Sequence, residues 1–174
     1  VTQAKPTAES SPVDIPALAR RFAAVFPHLD ARTGALAVTL YRLLALGEPV
    51  PWARLAAEAQ RPEADVRTIV AGWPAVIEEA EGLVGFGGLS VRRISSHVMV
   101  VAGRTLYTRC AWDTLFLPAV LDASADVTSV CGVTGAPVRL RVEPERLVAA
   151  QPPEMRLSML EPHAGMRDDL PQHF

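Results

Sequence analysis

The stretch LSVRRISSHVMVVAGRTLYTRC, residues 89–110, decides the fold. Val98, Val100 and Val101, with Thr105 and Thr108 after them, supply β-branched side chains, and apolar and polar residues alternate from Leu89 to Arg92. Ala102-Gly103-Arg104 interrupts the two runs. Alternation, with β-branched residues on both sides of a glycine turn, predicts a two-stranded hairpin. The chain therefore changes character near residue 89.

Upstream, the periodicity is helical. IPALARRFAAVF (15–26) spaces its apolar residues as a helix does, with Pro16 in the first turn and Pro27 as the stop. GALAVTLYRLLAL (34–46) is the strongest helical pattern in the chain, and Gly47 suits its C-cap. PVPWARLAAEAQ (49–60) places Leu55, Ala56 and Ala59 on one face. RPEADVRTIVAGWP (61–74) turns Val66, Ile69 and Val70 inward and stops at Pro74. Three short helices with tight turns read as a helix-turn-helix. AVIEEAEGLVGFGGLSV (75–91) is expected to start helical and pass into a hairpin through the glycines of 82–88. Helices followed by a hairpin predict a winged helix. The glycine run lacks a Gly-Lys-Ser/Thr sequence, so a turn is expected there and not a phosphate loop.

Downstream, CAWDTLFLPAVLDA (110–123) reads as a short apolar helix that Pro118 bends or restarts. ADVTSVCGVTGAPVRLRVEP (125–144) is strand, turn and strand, with Gly132 and Gly135 in the turn. RLVAAQPPEMRLSMLEP (146–162) adds a loop or short helix and one more strand. The expected class is α+β. A three-helix, winged-helix-like domain (15–88) precedes a mixed, mostly antiparallel β domain with short helices (89–174). Residues 1–14 read as a disordered tail.

Composition sets the outer bounds. The 174 residues are 49% hydrophobic and 21% charged, with net charge −2; the mean hydropathy is +0.19. A disordered chain is excluded. The longest apolar stretches are broken by Arg42 and Asp113, so no membrane helix is expected. The N-terminal residues lack the pattern of a signal peptide. Two cysteines make no disulfide framework, which makes a reducing cytoplasm the expected location. Near-neutral charge gives no electrostatic case for nucleic acid. The 61–74 helix agrees, because Glu63 and Asp65 flank a single Arg67 where a recognition helix carries bases. Arg92 and Arg93 read as a solvated strand edge. His28, His97, His163 and His173 show no metal spacing, and His97 reads as a packed or surface strand residue.

Cys110-Ala-Trp-Asp113 is the most informative local arrangement. Residues i and i+3 share a helix face, so thiol and carboxylate can meet. A thiolate is a strong nucleophile and soft-metal ligand, and a neighbouring carboxylate can take or give a proton. Arg109 would favour the thiolate if its side chain reached the sulfur. The plainer alternative is a buried core thiol and a helix-capping aspartate.

The run LYTRCAWDTLFLPAVLDASADVTSVCGVTGAPVRLRVEP (106–144) resembles the organomercurial (alkylmercury) lyases. The matching residues are Leu106, Tyr107, Cys110, Asp113, Thr114, Leu115 and Pro118, then Ser129-Val-Cys131 and Thr134-Gly135-Ala136-Pro137. A weaker similarity covers 34–105, where the family has a helix-turn-helix-like domain. The resemblance implies mercury detoxification by protonolysis of the carbon–mercury bond of alkyl- or aryl-mercury compounds. The products are a hydrocarbon and Hg(II), handed to cellular thiols or a mercuric reductase. No organic cofactor, nucleic acid or membrane is implied. Mercury is substrate and product, and external thiols assist.

By the same resemblance Cys110 is the first catalytic cysteine and mercury ligand, and Asp113 relays the proton. Cys131 matches a cysteine usually regarded as structural, expected as a core thiol, and a mercury ligand only if the site rearranged. Two positions depart from the family pattern. Arg109 replaces a common tryptophan, and Trp112 replaces a smaller apolar residue; both bear on pocket shape and thiol acidity. The second catalytic cysteine of the family follows a phenylalanine after a segment resembling MRDDLPQHF (166–174), which puts it at or just beyond Phe174 and makes the catalytic domain incomplete at its C-terminus. The alternative function is a non-catalytic mercury-binding or winged-helix regulatory homologue.

Overall fold

A computed structural model describes residues 14–25 and 30–157. The chain divides into two compact units. Within the described residues the first holds only helix α1 (Ile15–Val25). Asp14, expected in the tail, caps this helix by accepting from the Ala17 N–H at 3.0 Å. Residues 1–13, Pro27, His28, His163, His173 and the 166–174 segment lie outside the described residues.

The second unit begins with three helices: α2 (Ala31–Leu44), α3 (Trp52–Glu58) and α4 (Glu63–Ala71). Helix α2 starts three residues before the expected Gly34, because Asp30 accepts from the Arg32 and Thr33 N–H groups at 2.8 and 2.9 Å. Leu36, Ala37, Leu40, Leu43 and Leu44 form its buried stripe. Gly47, at φ +82°, takes the chain out of the helix. Pro51 and Pro62 precede α3 and α4, and Leu55, Ala56, Val66 and Val70 are buried as their spacing predicts.

Among the described residues eight antiparallel strands follow: β1 (Val76–Glu79), β2 (Gly82–Phe86), β3 (Leu89–Ser90), β4 (His97–Val101), β5 (Arg104–Thr108), β6 (Ala125–Val130), β7 (Pro137–Glu143) and β8 (Arg146–Gln151). They form one sheet in the order β1-β2-β3-β5-β4-β6-β7-β8. The expected helical start at 75–79 is instead strand β1. Ala75 lies at φ +56°, which no helix accommodates, and Val76 to Glu79 pair with Phe86 to Gly82. The β4–β5 hairpin forms as read, its turn made by Ala102 and Gly103, both at positive φ. The β6–β7 hairpin also forms as read.

Helix α5 (Asp113–Leu121) runs unbroken through Pro118 and ends at Asp122, φ +51°. It packs against α2 and β7 and buries Leu117 and Pro118.

The boundary expected between residues 88 and 89 falls inside this sheet. β3 begins at Leu89 and bonds to β2 on one side and β5 on the other. The core is likewise continuous: Leu40, Leu44, Leu55 and Val66 from the helices join Leu83, Leu89, Met99, Leu106, Leu117 and Val127 in one buried cluster. Each such leucine contributes roughly 1.5–3 kcal/mol through burial. Separating the halves would expose that shared surface.

Candidate active site

Strand β5 ends at Thr108, helix α5 starts at Asp113, and Cys110 lies in the loop between them. The loop is braced at both ends. Thr108 Oγ1 donates to the Cys110 carbonyl at 3.0 Å, and Thr114 Oγ1 donates to the Ala111 carbonyl at 2.7 Å. Thr108 and Thr114 are both buried.

The structure brings Cys110 and Asp113 together by a route other than a shared helix face. Asp113 is the first helical residue, and its carboxylate turns back so that Oδ2 accepts from the Cys110 backbone N–H at 2.8 Å. The carboxylate also acts on the acidity of the Cys110 thiol. The spacing therefore closes a turn and does not cap the helix, whose N-terminus carries no side-chain cap hydrogen bond.

Burial governs the electrostatics. Asp113 is 7% exposed. Desolvation raises its carboxyl above the usual carboxylate range, opposed by the Cys110 hydrogen bonds and the Arg109 charge. Desolvation and the Asp113 charge push the Cys110 thiol up from 9.0 to about 11. The thiol thus keeps its proton at neutral pH. The Arg109 charge is felt at Asp113.

A second layer was not legible in the sequence. Tyr41 of α2 donates from its hydroxyl to the Gly87 carbonyl at 2.9 Å, across 46 residues of chain. Burial and the Asp113 charge raise its phenol pKa. Gly88 stands against Asp113: a Cβ there would lie 2.5 Å from the carboxylate carbon. The Gly88 carbonyl in turn accepts from the Arg109 N–H at 2.8 Å. No local pattern links Tyr41 to this loop; the glycines gave only a turn.

Cys131 does not enter the core as expected. It sits half-exposed in the β6–β7 turn, where its N–H donates to the Ala136 carbonyl at 2.9 Å. Hydrogen bonds from Thr134 and the Val133 backbone lower its thiol pKa. Neither cysteine is in a disulfide. His97 Nδ1 lies 2.5 Å from Ser129 Oγ, and partial burial lowers its pKa. Arg92 forms ion pairs with Glu79 at 3.0 Å and with Glu81. The glycines of 82–88 build strand β2 and the turn after it. Among the described residues no helix is long and apolar enough to cross a membrane, and no group of three His, Cys, Asp or Glu could hold a metal ion.

The sequence model of the alkylmercury lyases matches residues 92–170, which include Cys110, Asp113 and Cys131. The chain is 39% identical to an alkylmercury lyase of Pseudomonas putida over 130 residues, covering 75% of this chain and 61% of that one. It is 38% identical to the Streptomyces lividans enzyme over 125 residues, covering 72% and 58%. It spans about 60% of the length of these curated relatives. Among solved structures, the mercury-bound form of MerB2 superimposes with a TM-score of 0.64 at 25% identity, over 78% of this chain and 68% of that one.

Proposed function

We propose that the chain is an alkylmercury lyase, as its similarity over the shared span supports, and that its Cys110–Asp113 pair cleaves the carbon–mercury bond of organomercurials. The observation that carries this is the buried Asp113 carboxylate held on the Cys110 backbone N–H within one turn. Mercury(II) is soft and prefers sulfur to oxygen or nitrogen. In the first step the Cys110 sulfur displaces a ligand X⁻ from R–Hg–X, and the S–Hg bond forms. The thiol proton passes to the Asp113 carboxylate beside it. In the second step the Asp113 carboxyl returns that proton to the carbon bound to mercury. The Hg–C bond breaks, R–H leaves, and Hg(II) remains on Cys110 with Asp113 again ionised.

The raised pKa values suit this order. A thiol near 11 retains the proton that the reaction must use. A carboxyl above its usual range is a better proton donor near neutral pH. A small external thiol serves as the second sulfur ligand and draws Hg(II) away, with cellular thiols or a mercuric reductase as the final acceptor. The reaction uses no organic cofactor and belongs to mercury detoxification in a reducing cytoplasm.

We read α2 to α4 with the β1–β2 hairpin as a winged-helix-like scaffold. In α4, Arg67 is tied to Glu63 at 2.8 Å and lies 4.5 Å over the Trp52 ring. That engagement supports a packing role over a DNA-reading one. The test is to mix the purified chain with phenylmercury and excess small thiol and measure benzene. Release above the thiol-only rate is expected; its absence would remove the enzymatic reading.

A further inference from the structure

We infer that Tyr41 and the Gly87–Gly88 turn form a positioning element that holds the Asp113 carboxylate on Cys110. The inference rests on the proposed reaction and assigns roles to residues outside the Cys-x-x-Asp turn.

The turn is fixed from three sides. The Tyr41 hydroxyl donates to the Gly87 carbonyl at 2.9 Å, the Gly87 N–H donates to the Ala75 carbonyl at 3.2 Å, and the Gly88 carbonyl accepts from Arg109 at 2.8 Å. Gly87 and Gly88 take φ values of +50° and +94°, where a side chain is strained. The bare Cα of Gly88 is the wall against which the carboxylate rests. A Cβ there would lie 2.5 Å from Asp113 Cγ and Oδ1 and 2.8 Å from Oδ2. The wall and the catalytic turn are thus one backbone assembly, joined through Arg109 immediately before Cys110.

Tyr41 supplies the long-range anchor. Its ring also packs on Phe86, centroids 4.9 Å apart, and Phe86 packs on Trp73 at 4.8 Å. Tyr41→Phe keeps those ring contacts and removes only the hydroxyl. Tyr41 acts through the Gly87 carbonyl to which its hydroxyl donates, so it is a positioning residue.

The test reads the Cys110 N–H that donates to Asp113. Amide hydrogen exchange is followed residue by residue in the full chain, with the Cys131 N–H, held by the Ala136 carbonyl, as the internal reference. Gly88→Ala displaces the carboxylate, so exchange at Cys110 relative to Cys131 speeds about tenfold. Tyr41→Phe gives a smaller rise in the same ratio. Folded Gly88→Ala and Tyr41→Phe chains that keep the parental ratio would overturn the inference. So would an equal rise at both amides, which would mean only looser packing. No organomercurial enters this assay, so its failure is separable from failure of the lyase reading.

Discussion

The Cys110 backbone N–H donates to Asp113 Oδ2 at 2.8 Å, across the turn that joins strand β5 to helix α5. One carboxylate therefore closes the turn and lies beside the thiol. It is held there at a cost, because it is buried and its ionised form is disfavoured.

That cost gives the first prediction. The Asp113 carboxyl has a raised pKa in the folded chain, so its favourable contribution is full at acid pH and is lost as pH rises through the folded value. Asp113→Asn still accepts from the Cys110 N–H but carries no charge. At pH 7 it is expected to melt about 2–5 °C above the parent, the response to roughly 1 kcal/mol in a domain of this size. The advantage shrinks at pH 4. Thermal unfolding at the two pH values checks it; a lower melting temperature at both would contradict it.

The two thiols differ in acidity in opposite directions. Cys110 is pushed up to about 11, while Cys131 is lowered by its Thr134 contacts. At pH 8, Cys131 is expected to react with iodoacetamide at least ~100-fold faster, following thiolate fraction. Time-resolved peptide mass spectrometry measures the ratio; near-equal rates would contradict the assignment.

Cys131 in a half-exposed turn also predicts a mild substitution. Cys131→Ser is expected to change stability by no more than about 0.5 kcal/mol. A buried core thiol would cost more. Urea unfolding of the two chains decides between them.

The continuous core predicts concerted unfolding. Leu44 of α2 is fully buried in the cluster that also holds Met99 and Leu106 of the sheet. Leu44→Ala is expected to cost about 2–5 kcal/mol. It should move the tryptophan-fluorescence and far-ultraviolet transitions together. Separate transitions for helices and sheet would show two independent halves.

The helices and the two later hairpins were legible because their signals are local. Leucine spacing fixes the buried face of α2, and Ala102-Gly103 fixes the β4–β5 turn. Strand β1 was missed because Ile-Glu-Glu-Ala-Glu carries high helix propensity. Its pairing partners at 82–86 and the left-handed Ala75 override that preference. The change of character at 88/89 does not interrupt the sheet, for a related reason. Composition changes there, but β2 and β3 pair across it, Phe86 with Leu89 and Gly85 with Ser90. At the site, Cys110 and Asp113 could be found from their spacing and the family resemblance. Tyr41 could not, since its contact spans 46 residues and depends on tertiary packing alone.

The proposed reaction turns on Asp113 as the carrier of the proton from sulfur to carbon. The most direct measurement is benzene release from phenylmercury with excess thiol, by the parent and by Asp113→Asn, with bound mercury quantified in parallel. The parent should release benzene. Asp113→Asn should bind phenylmercury on Cys110 but release benzene about 10²–10⁴-fold more slowly, the loss typical of a missing proton-transfer group. Benzene release by Asp113→Asn at the parental rate would contradict the account.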